Sequence, residues 1–289
     1  MHIISRSGVV RLVALAVTLA TLSSCARSSG EGIQLSFEDG GTHRYSLTVS
    51  SEISVVDPSG RRESFERDRT TGMVEMAVVD VSRGGREATI QTRTTIEGSL
   101  AGRDLAPGLQ TGRPITYVMN QQGRLVDPGD MRDVIMEIIS DSLSELDVQA
   151  PVDRDVMVAQ LMPMVEEMMT TPWGGSFRYF RDEAVQQGST WTVDHETNME
   201  RSTTRWVVAR DTSQFRRLEF AGTGTYQMGM NLTGDPPTIA QVEYSGFFDI
   251  DAETAWPIRA RTVQELYTVE NSGFRIETRN TTDIELVRR

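Results

Sequence analysis

Gly41-Thr42-His43-Arg44-Tyr45-Ser46-Leu47-Thr48-Val49 decides the fold class. Tyr45, Leu47 and Val49 alternate with polar residues at period two, the pattern of a strand with one buried face and one wet face. Asp57-Pro58-Ser59-Gly60 supplies a turn, and Val74, Met76 and Val78 then alternate in the same way. Gly84-Gly85 leads into a threonine-rich run from Ala88 to Ile96, and a further hairpin reads from Ile115 to Leu125 around Asn120-Gln121-Gln122-Gly123. Threonine and valine at this spacing suit a half-buried antiparallel sheet. After Thr170-Thr171-Pro172 strand signals resume, from Thr190 to about Val287, and carry Trp191, Trp206, Phe220, Tyr226, Tyr244, Phe247, Trp256 and Phe274.

The period changes between these two parts. Met131, Val134, Ile135, Ile138, Ile139, Leu143 and Leu146 recur at helical spacing, with Asp130 placed as an N-cap. Pro151 can open a second helix with the stripe Val158, Leu161, Val165 and Met168, which Pro163 would kink or split. The expected fold is α+β: mostly antiparallel sheet, curved or half-barrel, with a two-helix insert at about 130–170. The two strand-rich parts also parallel each other. Met76-Ala77-Val78-Val79-Asp80 matches Trp206-Val207-Val208-Ala209-Arg210, and Gly41 to Tyr45 matches Gly188-Ser189-Thr190-Trp191.

The N-terminus reads as an address. Arg6 and Arg11 precede an apolar run from about Leu12 to Leu22, and Leu22-Ser23-Ser24 leads into Cys25, the single cysteine. A positive start, a short apolar run and small residues make a secretory signal; a membrane span needs roughly 20 apolar residues. Leu22-Ser23-Ser24-Cys25 resembles the lipobox of bacterial lipoproteins, which implies lipidation of the Cys25 thiol after cleavage. Residues 1–24 are then the signal, 25–32 a flexible spacer, and 33–289 one β-rich domain. Ala26 lacks the aspartate that marks inner-membrane retention in enterobacteria, so the periplasmic face of an outer membrane is favoured in a Gram-negative cell.

Composition narrows the function. The chain carries 29 basic residues, all arginine, against 41 acidic ones, for a net charge of −12. Removing residues 1–24 takes away two arginines and no acid, leaving about −14. A nucleic-acid partner needs a basic face, and docking on anionic lipid needs the same. Lipidation of Cys25 leaves no thiol for disulfides, nucleophilic catalysis or metal binding. His43 and His195 alone could serve general-base chemistry in the mature chain, and no Gly-x-Ser-x-Gly elbow accompanies them. Asp249-Ile250-Asp251-Ala252-Glu253 begins like a calcium loop, yet lacks the central glycine, and its twelfth position is Ala260. It reads better as a polar turn. Glu166-Glu167 and Asp182-Glu183 are adjacent carboxylates that diverge on any regular element. The protein is therefore expected not to be an enzyme and to need no cofactor.

Met157, Met162, Met164, Met168 and Met169 fall close together, and Trp173, Phe177, Tyr179 and Phe180 follow. Thioether side chains adapt to irregular apolar shapes, so this segment either fills a core or lines a site for a hydrophobic ligand. Met157, Leu161, Met164, Met168, Trp173, Phe177 and Phe180 are the candidate lining residues. Capture of copper(I) by thioethers is a third reading.

Four motifs carry a resemblance: Gly41 to Tyr45; Gly123-Arg124-Leu125-Val126; Phe180 through Gly188-Ser189-Thr190-Trp191; and Phe248-Asp249-Ile250-Asp251 to Trp256-Pro257-Ile258. In this order they resemble a family of uncharacterised bacterial envelope lipoproteins with no assigned activity. The layout is also similar to half-barrel carriers of lipoproteins and glycolipids, although the helices here would be central rather than N-terminal. The resemblance supports the fold alone. From the residues, the expected function is that of a lipid-anchored envelope protein that binds a hydrophobic ligand between helices and sheet, with a scaffold acting through protein contacts as the alternative.

Overall fold

The computed structural model describes residues 32–82, 84–100, 103–104, 112–123, 125–131, 133–134, 137, 183–196, 200–228, 238–269 and 274–287. These form twelve strands: β1 (Thr42–Val56), β2 (Arg62–Val81), β3 (Glu87–Leu100), β4 (Arg103–Asp104), β5 (Ile115–Asn120), β6 (Leu125–Asp127), β7 (Thr190–Glu196), β8 (Glu200–Asp211), β9 (Phe215–Met228), β10 (Thr238–Asp251), β11 (Pro257–Val269) and β12 (Arg275–Leu286). Eleven of them lie in one antiparallel path, β6-β5-β3-β2-β1-β12-β11-β10-β9-β8-β7, and β4 pairs with β3 off this path.

The fold is therefore nearly all β, and the expected α+β class with a two-helix insert is corrected. Met131, Asp133, Val134 and Glu137 are helical, and the Val134 N–H donates to the Asp130 carbonyl, but no longer helix stands among the described residues. Asp130 stands at the start of this turn as expected, its carbonyl accepting the Val134 N–H. Its carboxylate accepts the Thr116 N–H at 2.6 Å and so ties the turn to β5. The stripe from Pro151 to Met169 lies outside the described residues, as do Cys25, Met157, Leu161, Met164, Met168, Trp173, Phe177 and Phe180.

The register shows a repeated five-strand unit, β1-β2-β3-β5-β6 and β7-β8-β9-β10-β11, on either side of β12. In the first unit Gly40 N–H donates to Val78 O, Val78 N–H to Gly41 O, and Gly41 N–H to Glu38 O. In the second, Gly188 N–H donates to Val208 O, Val208 N–H to Ser189 O, and Ser189 N–H to Gln186 O. Bulges recur at matching places: Val78/Asp80 with Val208/Arg210, and Val118/Met119 with Asp249/Ile250. Ser82 Oγ accepts the Glu87 N–H as Thr212 Oγ1 accepts the Phe215 N–H. Even the contact between turns repeats, Gln121 N–H to Arg86 O and Ala252 N–H to Gln214 O. Buried partners correspond accordingly: Met76 with Trp206, Val78 with Val208, Ile90 with Leu218, Tyr117 with Phe248, and Met119 with Ile250.

One inexact position in this repeat is informative. Gly123, at φ 67°, stands where the second unit has Ala255 at φ 49°, the one non-glycine with positive φ among the described residues. A left-handed alanine is held there against an intrinsic cost of about 1 kcal/mol. Trp256 beside it is buried, and its ring stacks on His43 at 3.9 Å. Gly123→Ala is expected to lower stability by about 1 kcal/mol, read as a shift of the urea midpoint. An unchanged midpoint would show that this turn is not under the constraint its φ implies.

The sheet curls about its apolar face. Strands two apart in a flat sheet are separated by roughly 9–10 Å. Yet the rings of Trp206 on β8 and Phe248 on β10 lie 6.0 Å apart. Glycines at the bend permit this. A Cβ on Gly222 would meet Thr203 O at 2.5 Å, one on Gly224 would meet Arg201 O at 2.2 Å, and one on Gly246 would meet Arg261 O at 2.1 Å. The Phe220 ring lies over Gly246.

Candidate functional site

The two faces of the sheet differ in chemistry. On the outer face, cross-strand ion pairs join Arg44 to Glu75, Arg67 to Glu52, Arg261 to Asp283, and Arg279 to Glu265. Arg62 and Arg275 both reach Glu277. Each charge facing hydrocarbon would cost about 2–4 kcal/mol at a bilayer midplane. The outer face is therefore one that belongs in water.

The inner face is built in rows that run across the strands. Leu218, Phe248, Ala260, Ile284 and Leu47 form an apolar row, and Trp206, Phe220, Gly246, Thr262, Thr282 and Val49 lie next to it. The third row is Thr204, Gly222, Tyr244, Gln264, Asn280 and Ser51, all uncharged and mostly half-buried. The fourth returns to apolar side chains with Val242, Leu266 and Ile53, beside Gly224, Ser202 and Thr278. Ala240, Val242 and Leu266 form a cluster of their own, against which Tyr226 and Tyr244 pack. A neutral polar band thus divides two apolar patches.

The groups within this band are loosely joined. Gln264 Nε2 donates to Tyr244 Oη at 3.4 Å and Asn280 Nδ2 to Gln264 Oε1 at 3.3 Å, both long for such bonds. Each amide keeps donor and acceptor capacity. Sequence reasoning missed the band because its residues lie on separate strands and meet only through register. The period-two placement of Gln264 between Thr262 and Leu266 was the available signal.

His43 and His195 are held apart. His43 sits on β1 against Trp256; burial pushes its imidazole down to about 4, although Asp251 pulls the other way. His195 lies across from Ser202 on β7, but the Ser202 hydroxyl donates to Glu200 at 2.5 Å. Asp194 accepts from Thr203 Oγ1. These are strand contacts, in which the Ser202 hydroxyl proton goes to the Glu200 carboxylate. The Asp249 and Asp251 oxygens are also engaged. Burial raises Asp249, but hydrogen bonds from Arg217 and Arg259 outweigh it and hold the carboxyl below the usual range. Asp251 Oδ1 accepts the N–H groups of Glu253 and Thr254 and the Thr254 hydroxyl, as expected of a polar turn. Among the described residues no group of three or more His, Cys, Asp or Glu is arranged to hold a metal ion.

No family model matches the chain, and no curated protein matches it. Solved structures with some likeness include Ail, the attachment invasion locus protein of Yersinia pestis. It is 5% identical over 86% of this chain and 99% of that one, with a TM-score of 0.20. Ail in complex with the heparin analogue sucrose octasulfate is 9% identical over 84% of this chain and 97% of that one, at 0.19. An outer membrane channel from Pseudomonas putida F1 is 10% identical over 88% of this chain and 97% of that one, at 0.20. Scores this low carry no argument about what this chain does.

Proposed function

We propose that this is a lipid-anchored, non-enzymatic protein of the bacterial envelope that holds an amphipathic ligand, an acyl-bearing lipid, on the inner face of its curled sheet. The observation that carries the reading is the neutral polar band of Tyr244, Gln264 and Asn280 between two apolar patches. Apolar walls with a few placed polar groups are the usual composition of a small-molecule site. The band would take an uncharged hydrogen-bonding part of the ligand, and the half-buried Tyr226 and Tyr244 rings that cover Val242 and Leu266 would meet its chain. The charged outer face keeps the domain in water while the Cys25 lipid holds it to the membrane. The outer membrane's periplasmic face is the proposed location in a Gram-negative cell.

The test is solvent extraction of residues 25–289 carrying Cys25→Ser, purified without detergent, followed by mass spectrometry. About one acyl-bearing ligand per chain is expected, and Gln264→Leu should lower its occupancy several-fold while the fold persists by circular dichroism. A chain free of lipid would overturn the reading.

A further inference from the structure

A second feature lies on the opposite, outer face. A groove of about 850 Å³ opens at the turn end of β8–β11, lined in part by Arg210, Phe215, Arg217, Asp249, Arg259 and Glu285. Arg210, Arg217, Asp249, Arg259 and Glu285 follow one another across five strands. Arg210 and Arg217 are direct cross-strand partners, an arrangement of like charges that opposes pairing. Both are held in place. Arg217 makes a two-point contact with Asp249 at 2.6 and 2.7 Å and lies over the Phe247 ring at 4.5 Å. The Arg210 guanidinium lies over Phe215 at 5.4 Å. Arg259 shares Asp249 at 2.9 Å.

The repeat shows that the fold does not require these charges. The positions that correspond to Arg210, Arg217, Asp249 and Arg259 in the first unit are Asp80, Thr89, Val118 and Asp127, with the same bulges and turn contacts. The second unit thus carries three guanidiniums at positions where the first, in matching register, has none. Four carboxylates share the groove, and their positions matter. Asp249 is bound between Arg217 and Arg259, Asp251 is engaged in its turn with the Glu253 N–H, and Glu285 lies across from Arg259. Glu219 lies two residues beyond Arg217 on the same face. Arg217 is balanced by Asp249, so the guanidinium left without a carboxylate partner among the described residues is that of Arg210, and Arg217 beside it keeps the N–H donors that Asp249 does not take.

We propose that the Arg210–Arg217 end of the groove binds a phosphate-bearing ligand, with these two guanidiniums as its donors. Planar guanidiniums match phosphate oxygens in two-point contacts, and an anion between them removes the repulsion of the pair. The shared chemistry is the phosphate group, carried by a soluble ester or by a lipid headgroup.

The test titrates inorganic phosphate into residues 25–289 carrying Cys25→Ser, by calorimetry, and compares the same protein with Arg210→Gln added. Arg210 is exposed and makes no ion pair among the described residues, so its replacement leaves the fold intact. Binding weakened about tenfold or more in the variant is expected. A second arm floats both proteins with phosphatidylglycerol vesicles. Retention that needs Arg210 assigns the phosphate to a lipid, and phosphate binding without retention assigns it to a soluble ligand. Equal phosphate affinity in the two proteins, or no binding of either probe, overturns the proposal.

Discussion

Replacing Trp206 with alanine is expected to lower stability by about 3–5 kcal/mol, the cost of removing a large buried aromatic. Trp206 is fully buried, and its ring meets Trp191 at 6.2 Å, Phe220 at 4.7 Å and Phe248 at 6.0 Å. It joins β7 to β10 across the bend, so its loss leaves a void that the glycine-lined neighbours have no side chains to fill. Urea denaturation followed by circular dichroism measures the change. A loss below about 1 kcal/mol would mean that the curl does not depend on this stack.

The second large effect is a pH dependence centred on His43. Its imidazole is held neutral down to about 4, because burial against Trp256 outweighs the attraction of Asp251. Above 6.5 the group is neutral in both folded and unfolded chains, and its environment has no pH-dependent consequence. As the pH falls from 6.5 towards 4, the unfolded chain takes up the proton while the folded one does not. Stability therefore declines through this window by at most about 3 kcal/mol, and the loss is complete below it. His43→Phe keeps a ring over Trp256 and removes the proton site. The slope of the urea midpoint against pH between 6.5 and 4 should be flatter in the variant by that amount. Equal slopes would show that His43 titrates normally.

Much of the sheet was legible because period-two alternation is a local signal. Tyr45-x-Leu47-x-Val49 and Val74-x-Met76-x-Val78 lie on the strands expected of them, with these side chains on the inner face. The match of Met76–Asp80 to Trp206–Arg210 is the one the registers display. It was faint in sequence because buried positions keep their volume and polarity rather than their identity: methionine faces tryptophan and tyrosine faces phenylalanine across the two units.

The two-helix insert does not appear among the described residues, which carry helical backbone only at Met131, Asp133, Val134 and Glu137. Apolar spacing is a weak prior for a helix. Asp130 opens this turn through its carbonyl, which accepts the Val134 N–H, while its carboxylate bonds to Thr116 on β5. The site was the least legible part. Tyr244, Gln264 and Asn280 are far apart in sequence and ordinary in type, and only register brings them together. The methionine-rich candidates cannot be joined to this band, since they lie outside the described residues.

An amphipathic ligand on the inner face would travel with the purified protein, so its occupancy can be read from the mass of the intact complex. Native mass spectrometry of residues 25–289 with Cys25→Ser, taken from cells without detergent, should show a mass excess of one acyl-bearing molecule. That excess should fall several-fold in Gln264→Leu. A single species at the mass of the bare polypeptide, the same in both proteins, would contradict it.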